Sequence, residues 1–502
     1  MVLAVVFVGF SVAFWWDALL EVGPHQVRGG DQSQWLRMAV NLHRHHTFSK
    51  DMVPKGGGVR PTAYREPVYP AFVAAQMALN PSLRDLDAQQ VYNEGDGHPA
   101  LVALQVPQIL IMYATILLAM GIVWKLSGSA VFALGAGIVI ALSTTLQREM
   151  LIYRSETLAV FLTTALAFVL VVAAERRSPA AYAGAGALAG LLALTKAIFG
   201  YFWLPFVLVF ALVAWRAGWK RRPAVMSGAA FVLAFGVVIA PWMARNYFQF
   251  GRWYIADRGG IALNLRTLYD SIDPDEYFAS FFYWTPYRTS KQILEKHFDY
   301  ESYRRLNRRD REHGFYLVSR ENRRKLTEQL GDPVLADRVM LDEAVDYVIH
   351  HPVRHLALSL PLGLRGIFVE KKLQGVNIAG YKVATLAFAS FATLCVIAVK
   401  RSDLRLAGAL LPALHCWGFY SLASHNLPRY NMICIPTFYL AILVLVGAYL
   451  WPLAQRWGVQ AAPAVRTAGG RIGAAAAGGL RAWRRPHRRW PDKGGPASRA
   501  RP

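Results

Sequence analysis

The chain has 502 residues, of which 54% are hydrophobic and only 17% charged, with a formal net charge of +23. Soluble domains carry nearer a quarter charged residues, and the apolar residues here gather in long uncharged runs that read as membrane helices. Much of the positive charge lies in the tail and in loops beside those runs, where anionic headgroups attract it, so membrane lipid is the expected partner and nucleic acid is not.

The first run extends from Met1 to about Trp16 without a basic leader or a small-residue cleavage site, and it reads as a retained span. It is slightly short, which leaves room for a start upstream of Met1. About ten spans are expected, centred near residues 10, 111, 138, 165, 187, 207, 232, 390, 414 and 441. The expected fold is therefore an all-α polytopic membrane protein. Lys125, Arg176, Arg177, Arg216, Lys400 and Arg401 fall in short loops on one side, as does a tail with eleven Lys and Arg from Arg456 on. The positive-inside rule makes that side cytoplasmic, with both termini there. Four regions follow: a transmembrane catalytic module over 1–245 that includes a first outer loop at 18–98, an outer cap over 246–355, C-terminal helices over 356–455, and a basic, disordered tail over 456–502.

The first outer loop carries structure. From Asp31, an N-cap candidate, Trp35, Leu36, Met38, Ala39 and Leu42 share one helical face, which predicts an amphipathic helix on the bilayer surface. Pro67 to Leu79 predicts a second. The cap is Tyr- and Arg-rich and helical in pattern from Asp299 to Leu330. His43, His45 and His46 have no ligand spacing and no acid within a turn, so they read as a wet helix end. Gly56-Gly57-Gly58 is too short to cradle a phosphate. Cys395, Cys416 and Cys434 lie in apolar runs and read as core.

Asp31 is the first chemical candidate. Its plain reading is a solvated helix cap; its functional reading is a general base at the membrane surface, within reach of a lipid-borne donor and an aqueous acceptor. Arg65, in Tyr64-Arg65-Glu66-Pro67-Val68-Tyr69-Pro70, is a cation in a proline-bracketed turn, suited to a phosphate. Glu156, at the outer start of the fourth span, is the second acid; it either pairs with Arg154 at headgroup level or faces the same site as Asp31. There it would orient an acceptor or share a divalent cation, though no spacing demands a metal. Lys196, Arg245, His425 and Arg429 complete a set of outer-side cations that fits a phosphate leaving group. Tyr64, Glu66, Tyr69 and Arg154 stand beside these groups as orienting or acceptor-contacting side chains.

These strings resemble the type-C membrane glycosyltransferases, in particular bacterial relatives of protein O-mannosyltransferases and of the aminoarabinose transferase that modifies lipid A. The resemblance lies in Asp31 with its surface helix, R-E-P-V-Y-P, S-E-T-L-A, G-L-L-A-L-T-K, A-P-W-M-A-R-N-Y-F-Q-F-G-R, I-H-H-P-V-R-H-L and P-R-Y-N-M, in that order. It implies inverting transfer of a sugar from a polyprenyl phosphate to a hydroxyl of a protein, lipid or polysaccharide at the periplasmic face of the inner membrane. Asp31 would be its catalytic carboxylate and Arg65 its phosphate contact. Two departures stand out: Arg-Glu-Pro-Val replaces the Lys-Pro-Pro of relatives, and Gln32 follows Asp31 where protein mannosyltransferases have a second acid, so a two-carboxylate site depends on Glu156. The rivals are a secondary transporter or lipid-linked-sugar flippase, which predicts internal repeats and mid-membrane charges, and a non-catalytic scaffold or polysaccharide polymerase subunit.

Overall fold

The computed structural model describes residues 2–456 apart from 26, 28, 29, 53–57, 93–96 and 311. The tail and most of the Gly56–Gly58 loop lie outside the described residues. The chain divides into two units, Met1–Ala448 and Tyr449–Pro502. The second is helical as far as it is described, over Trp451–Arg456.

Among the described residues the structure is helical, with no strand beyond two isolated bridges. Seven helices are long and apolar enough to cross a membrane, among them Val2–Leu20, Glu156–Arg176, Arg221–Phe250 and Leu404–Ala423. The protein is thus an all-α polytopic membrane protein. The expected spans near 138, 187 and 207 fall on shorter helices, Ala130–Ala141, Pro179–Ala193 and Trp203–Arg216. At 1.5 Å per residue these reach about 18–23 Å, less than the ~30 Å hydrocarbon core. The Pro179–Ala193 helix stops early because Lys196 leaves helical geometry (φ −143°, ψ 106°) and starts a new 3-10 turn, Ala197–Tyr201. Gly186 and Gly190, four apart on one face, bring this helix against Arg221–Phe250: a Cβ on Gly190 would lie 2.8 Å from Val238 Cβ.

Both first-loop helices form, over Asp31–His45 and Val68–Leu79. The apolar face of the first is not left for lipid. Trp35, Leu36, Met38 and Ala39 are buried within the protein, with Trp35 edge-on to Tyr69 at 5.7 Å between ring centroids. The cap is a small helical layer whose apolar cluster unites Leu265, Tyr269, Ile272, Leu306 and Phe315 with Leu358 and Leu362. The helical pattern expected from Asp299 to Leu330 is interrupted: a 3-10 turn over Tyr300–Leu306 ends in a bend before the helix Phe315–Leu330. Gly314 allows that bend, because a Cβ there would meet the carbonyl oxygens of Asn307 and Asp310. The bend carries Arg308 to the site described next.

Candidate active site

Gly30, at φ 93°, turns the chain into its first-loop helix, so Asp31 is the first helical residue and not the cap. The capping reading fails on that geometry, and the Asp31 carboxylate has other partners. Arg65 Nη2 donates to Asp31 Oδ1, and Arg429 Nη2 donates to Oδ2 at 3.0 Å. Arg65 is itself fixed: its Nε and Nη2 donate to Gln34 Oε1 at 3.1 and 2.7 Å, and its guanidinium lies over Trp35 at 4.9 Å. Asp31 and Gln34 are one turn apart, so one helix face holds Arg65 through its Nε and Nη2. Burial pushes the Asp31 carboxyl up, but Arg65 and Arg429 outweigh it and hold the group well below the usual carboxylate range.

The second acid, Glu156, does not pair with Arg154 and lines the same cavity as Asp31. Arg154 Nη2 donates to both Glu149 carboxylate oxygens, at 2.7 and 2.8 Å, and not to Glu156. The reason is local: the helix Thr144–Met150 ends just before Arg154 and presents Glu149 back to it. Glu156, freed of Arg154, has Lys196 Nζ at 3.3 Å from its Oε1. Its Oε2 is buried without a hydrogen-bond partner. The early end of the Pro179–Ala193 helix is what delivers Lys196 here. Glu66 braces that end, with Oε1 accepting from Ala197 N at 2.9 Å, while Val68 N donates to Leu194 O at 3.1 Å.

These groups line one cavity of about 1330 Å³, which also takes in Tyr64, His425, Tyr420 and the cap residues Arg258, Arg308, Arg320 and Arg323. Ligand pockets for single small molecules run to ~1,000 Å³, so this one has room for two reactants. Its ionised lining is strongly cationic: Asp31, Glu66 and Glu156 face Arg65, Arg154, Lys196, Arg258, Arg308, Arg320, Arg323 and Arg429.

Three expected members differ. Arg245 does not line the cavity; it donates to Thr62 O at 2.9 Å and lies over Trp242 at 4.8 Å, so it pins the strap that carries Tyr64 and Arg65. Tyr69 is buried in the core, its hydroxyl donating to Gln108 Oε1 at 3.3 Å. His425 does line the cavity but is not a cation there: burial, together with Arg365, Arg308 and Arg429, holds its pKa well below the ordinary histidine value. The four cap arginines were not singled out from the sequence. Arg258 has a local signal, since it directly precedes Gly259 and Gly260 at a helix start; the others sit in an Arg-rich run whose spacing does not tell inward from outward.

No protein-family model matches the chain, and no curated protein matches it. Among solved structures it is similar to the oligosaccharyltransferase AglB of Archaeoglobus fulgidus in complex with an inhibitory peptide and a dolichol-phosphate, at 14% identity and a TM-score of 0.47, over 90% of this chain and 51% of that one. It is similar to the same archaeal oligosaccharyltransferase in complex with Zn and sulfate, at 15% identity and a TM-score of 0.45, over 86% and 48% of the two chains. It is also similar to ArnT from Cupriavidus metallidurans bound to undecaprenyl phosphate, at 14% identity and a TM-score of 0.35, over 88% and 77%. The chain spans about half the length of the archaeal structures it matches.

Proposed function

We propose that this protein is a membrane glycosyltransferase that moves a sugar, with inversion, from a polyprenyl phosphate to a hydroxyl acceptor at the periplasmic face of the inner membrane. The observation that carries this reading is the Asp31 carboxylate held between Arg65 and Arg429 in the wall of a cationic cavity. The basic short loops support this sidedness, since the positive-inside rule favours the cytoplasm for them and for the termini.

In this reading the acceptor hydroxyl gives its proton to Asp31 as its oxygen bonds to the sugar C1. The C1–O bond to the lipid phosphate breaks, and the electron pair leaves on the phosphate oxygen. Arg65, Arg429 and Lys196 neutralise that charge as it grows, in a site where fixed cations act strongly. With both guanidiniums upon it, Asp31 is a weak base. A donor phosphate competes for the same two arginines, which suit its oxygens as well as they suit a carboxylate. Donor binding then draws them off and restores the basicity of Asp31 only when the leaving group is in place. Glu156 holds Lys196 through Oε1 and offers Oε2 to the acceptor. Both Asp31 oxygens face guanidiniums and Glu156 Oε1 faces an ammonium, so a divalent cation shared by the two acids would bind in place of those groups. Among the described residues no three His, Cys, Asp or Glu side chains converge.

The test is turnover of radiolabelled polyprenyl-phosphate sugars by the full chain in nanodiscs. Release of polyprenyl phosphate is expected. Donors that stay intact with folded protein present overturn the reading, and labelled lipid that changes leaflet in vesicles without cleavage replaces it with a flippase.

A further inference from the structure

A second cleft, of about 870 Å³, adjoins the cavity on the cap side. The two share Tyr64, Ile261, Arg320 and Arg323 as a common wall. Gln34, which braces Arg65 one turn from Asp31, also lines the cleft. A ligand lying in it therefore ends close to the reacting carboxylate.

Its charge is unbalanced. Arg37 and Lys50 join Arg320 and Arg323 along its lining. Among the described residues none of these four forms an ion pair with an acid; of the two acids on the lining, Asp51 lies 4.0 Å from Arg60 and acts on Arg37 from further away, and Glu328 is taken by Arg324 at 2.7 Å. Arg323 Nε is buried with no hydrogen-bond partner. Lys50 and Arg258 crowd the ring of Tyr64 at 4.4 and 5.0 Å from its centroid, so cations reach the junction of the two compartments. Cations in excess over the acids of a cleft concentrate anions. Its wholly apolar side chains are Met52, Ile261 and Pro333, with the ring of Tyr64 at the common wall.

We propose that this cleft is the acceptor subsite and that the acceptor is an anionic glycan, whose carboxylate or phosphate groups lie in the cleft while a neutral hydroxyl further along the chain reaches Asp31. The proposal rests on the reading of the cavity as a site of glycosyl transfer. The anion is then a handle, not the nucleophile, and the cleft selects the acceptor class by charge.

The experiment uses the full chain in phosphatidylcholine nanodiscs. Three fluorescent oligosaccharides of matched length serve as probes, one bearing uronate carboxylates, one bearing phosphates and one neutral. Binding is read by polarisation, and release of polyprenyl phosphate is followed in the same preparation. At least one anionic probe is expected to bind more tightly than the neutral one by roughly tenfold, and the double variant Arg37→Gln, Lys50→Gln to lose most of that preference. Whichever anionic probe shows the preference identifies the handle as carboxylate or phosphate. Equal binding of charged and neutral probes overturns the proposal, as does a preference untouched by the double variant. Displacement of the anionic probe by phosphatidylglycerol vesicles, but not by excess unlabelled glycan, overturns it in favour of a headgroup site. Donor turnover with equal probe binding sinks the acceptor class alone, whereas probe binding without turnover of any donor sinks the cavity reading and the acceptor role with it.

Discussion

Asp31 and Asp270 are two carboxylates with the same kind of company, each between two basic side chains, and they differ in everything around them. Asp270 is sealed. Its side chain and that of Arg266 are 0% exposed. Arg266 Nη1 donates to its Oδ1, and His355 Nδ1 lies 2.6 Å from its Oδ2. The remaining Arg266 donors reach His355 O, Ser359 Oγ and Ser421 O at 2.7, 2.9 and 3.3 Å. Every strong group in that cluster is satisfied, and it ties the cap helix Gly259–Tyr269 to Pro352–Arg365 and to the end of Leu404–Ala423. Asp31 keeps 27% of its side chain exposed, and around it Glu156 Oε2, Arg429 Nε and His425 Nε2 have no partner. An ion cluster that is saturated holds structure together; one left short of partners at a cavity wall is waiting for a ligand.

The sharpest way to break this comparison is to remove one charge from each cluster. Asp31→Asn keeps shape and removes the proposed base, so polyprenyl phosphate release should fall by about 10²–10⁴ while thermal unfolding in detergent barely moves. Asp270→Asn should do the reverse. It leaves Arg266 buried without its counter-ion, which costs about 3–5 kcal/mol, so the unfolding temperature should drop clearly while the protein that remains folded turns over donor near the wild-type rate. If Asp31→Asn proves as destabilising as Asp270→Asn, the two clusters are of one kind and the site loses its base.

Next in size is the arginine exchange. Arg429→Gln should slow release by roughly 10–100-fold, since charge-assisted contacts to a leaving oxyanion are typically worth ~1.5–3 kcal/mol. It should also raise the donor KM. Asp31 adds no pH dependence of its own to stability near neutrality. Its folded pKa is depressed, so its contribution is present above the unfolded value of about 3.9 and is lost only as pH falls through the folded one. An acid limb of kcat/KM between pH 5 and 7 that survives Arg429→Gln unchanged would assign the limb to another group.

Much of this was legible before any coordinates. Asp31 and Arg65 sit 34 residues apart in one loop, and sidedness alone brought Arg429 and Lys196 to the same face. The helices at Asp31 and Pro67 follow from periodicity. What could not be read is burial. His425 counts as a cation until its surroundings are known, and Arg154 has two acids within reach along the chain, with only the end of Thr144–Met150 deciding for Glu149. The Arg-rich cap has no periodic signal that tells Arg308 and Arg323 from their solvent-facing neighbours. Arg245 ends an apolar helix as a phosphate ligand would, yet packs between Trp242 and the strap.

The smallest effect tests the junction between the cap and the first loop. Asp257 precedes Arg258, and its backbone N–H donates to Ala63 O at 2.9 Å, one residue from Tyr64. Burial, with Asp337 nearby, raises its carboxyl to about 6. A folded pKa above the unfolded one means that the folded state holds the proton more tightly. The stabilisation is therefore complete below about pH 4 and is lost as pH rises through 6. The unfolding temperature should fall slightly from pH 5 to pH 7.5, on the order of 1 °C for a group this exposed in a chain this long. Asp257→Asn should remove that fall, because a neutral amide carries no charge to desolvate at either pH. The same substitution should leave the Asp270 cluster, and with it the main unfolding transition, where it was. A fall that persists in Asp257→Asn would move the titrating group elsewhere in the cap, and the strap that presents Tyr64 and Arg65 would then be held independently of pH.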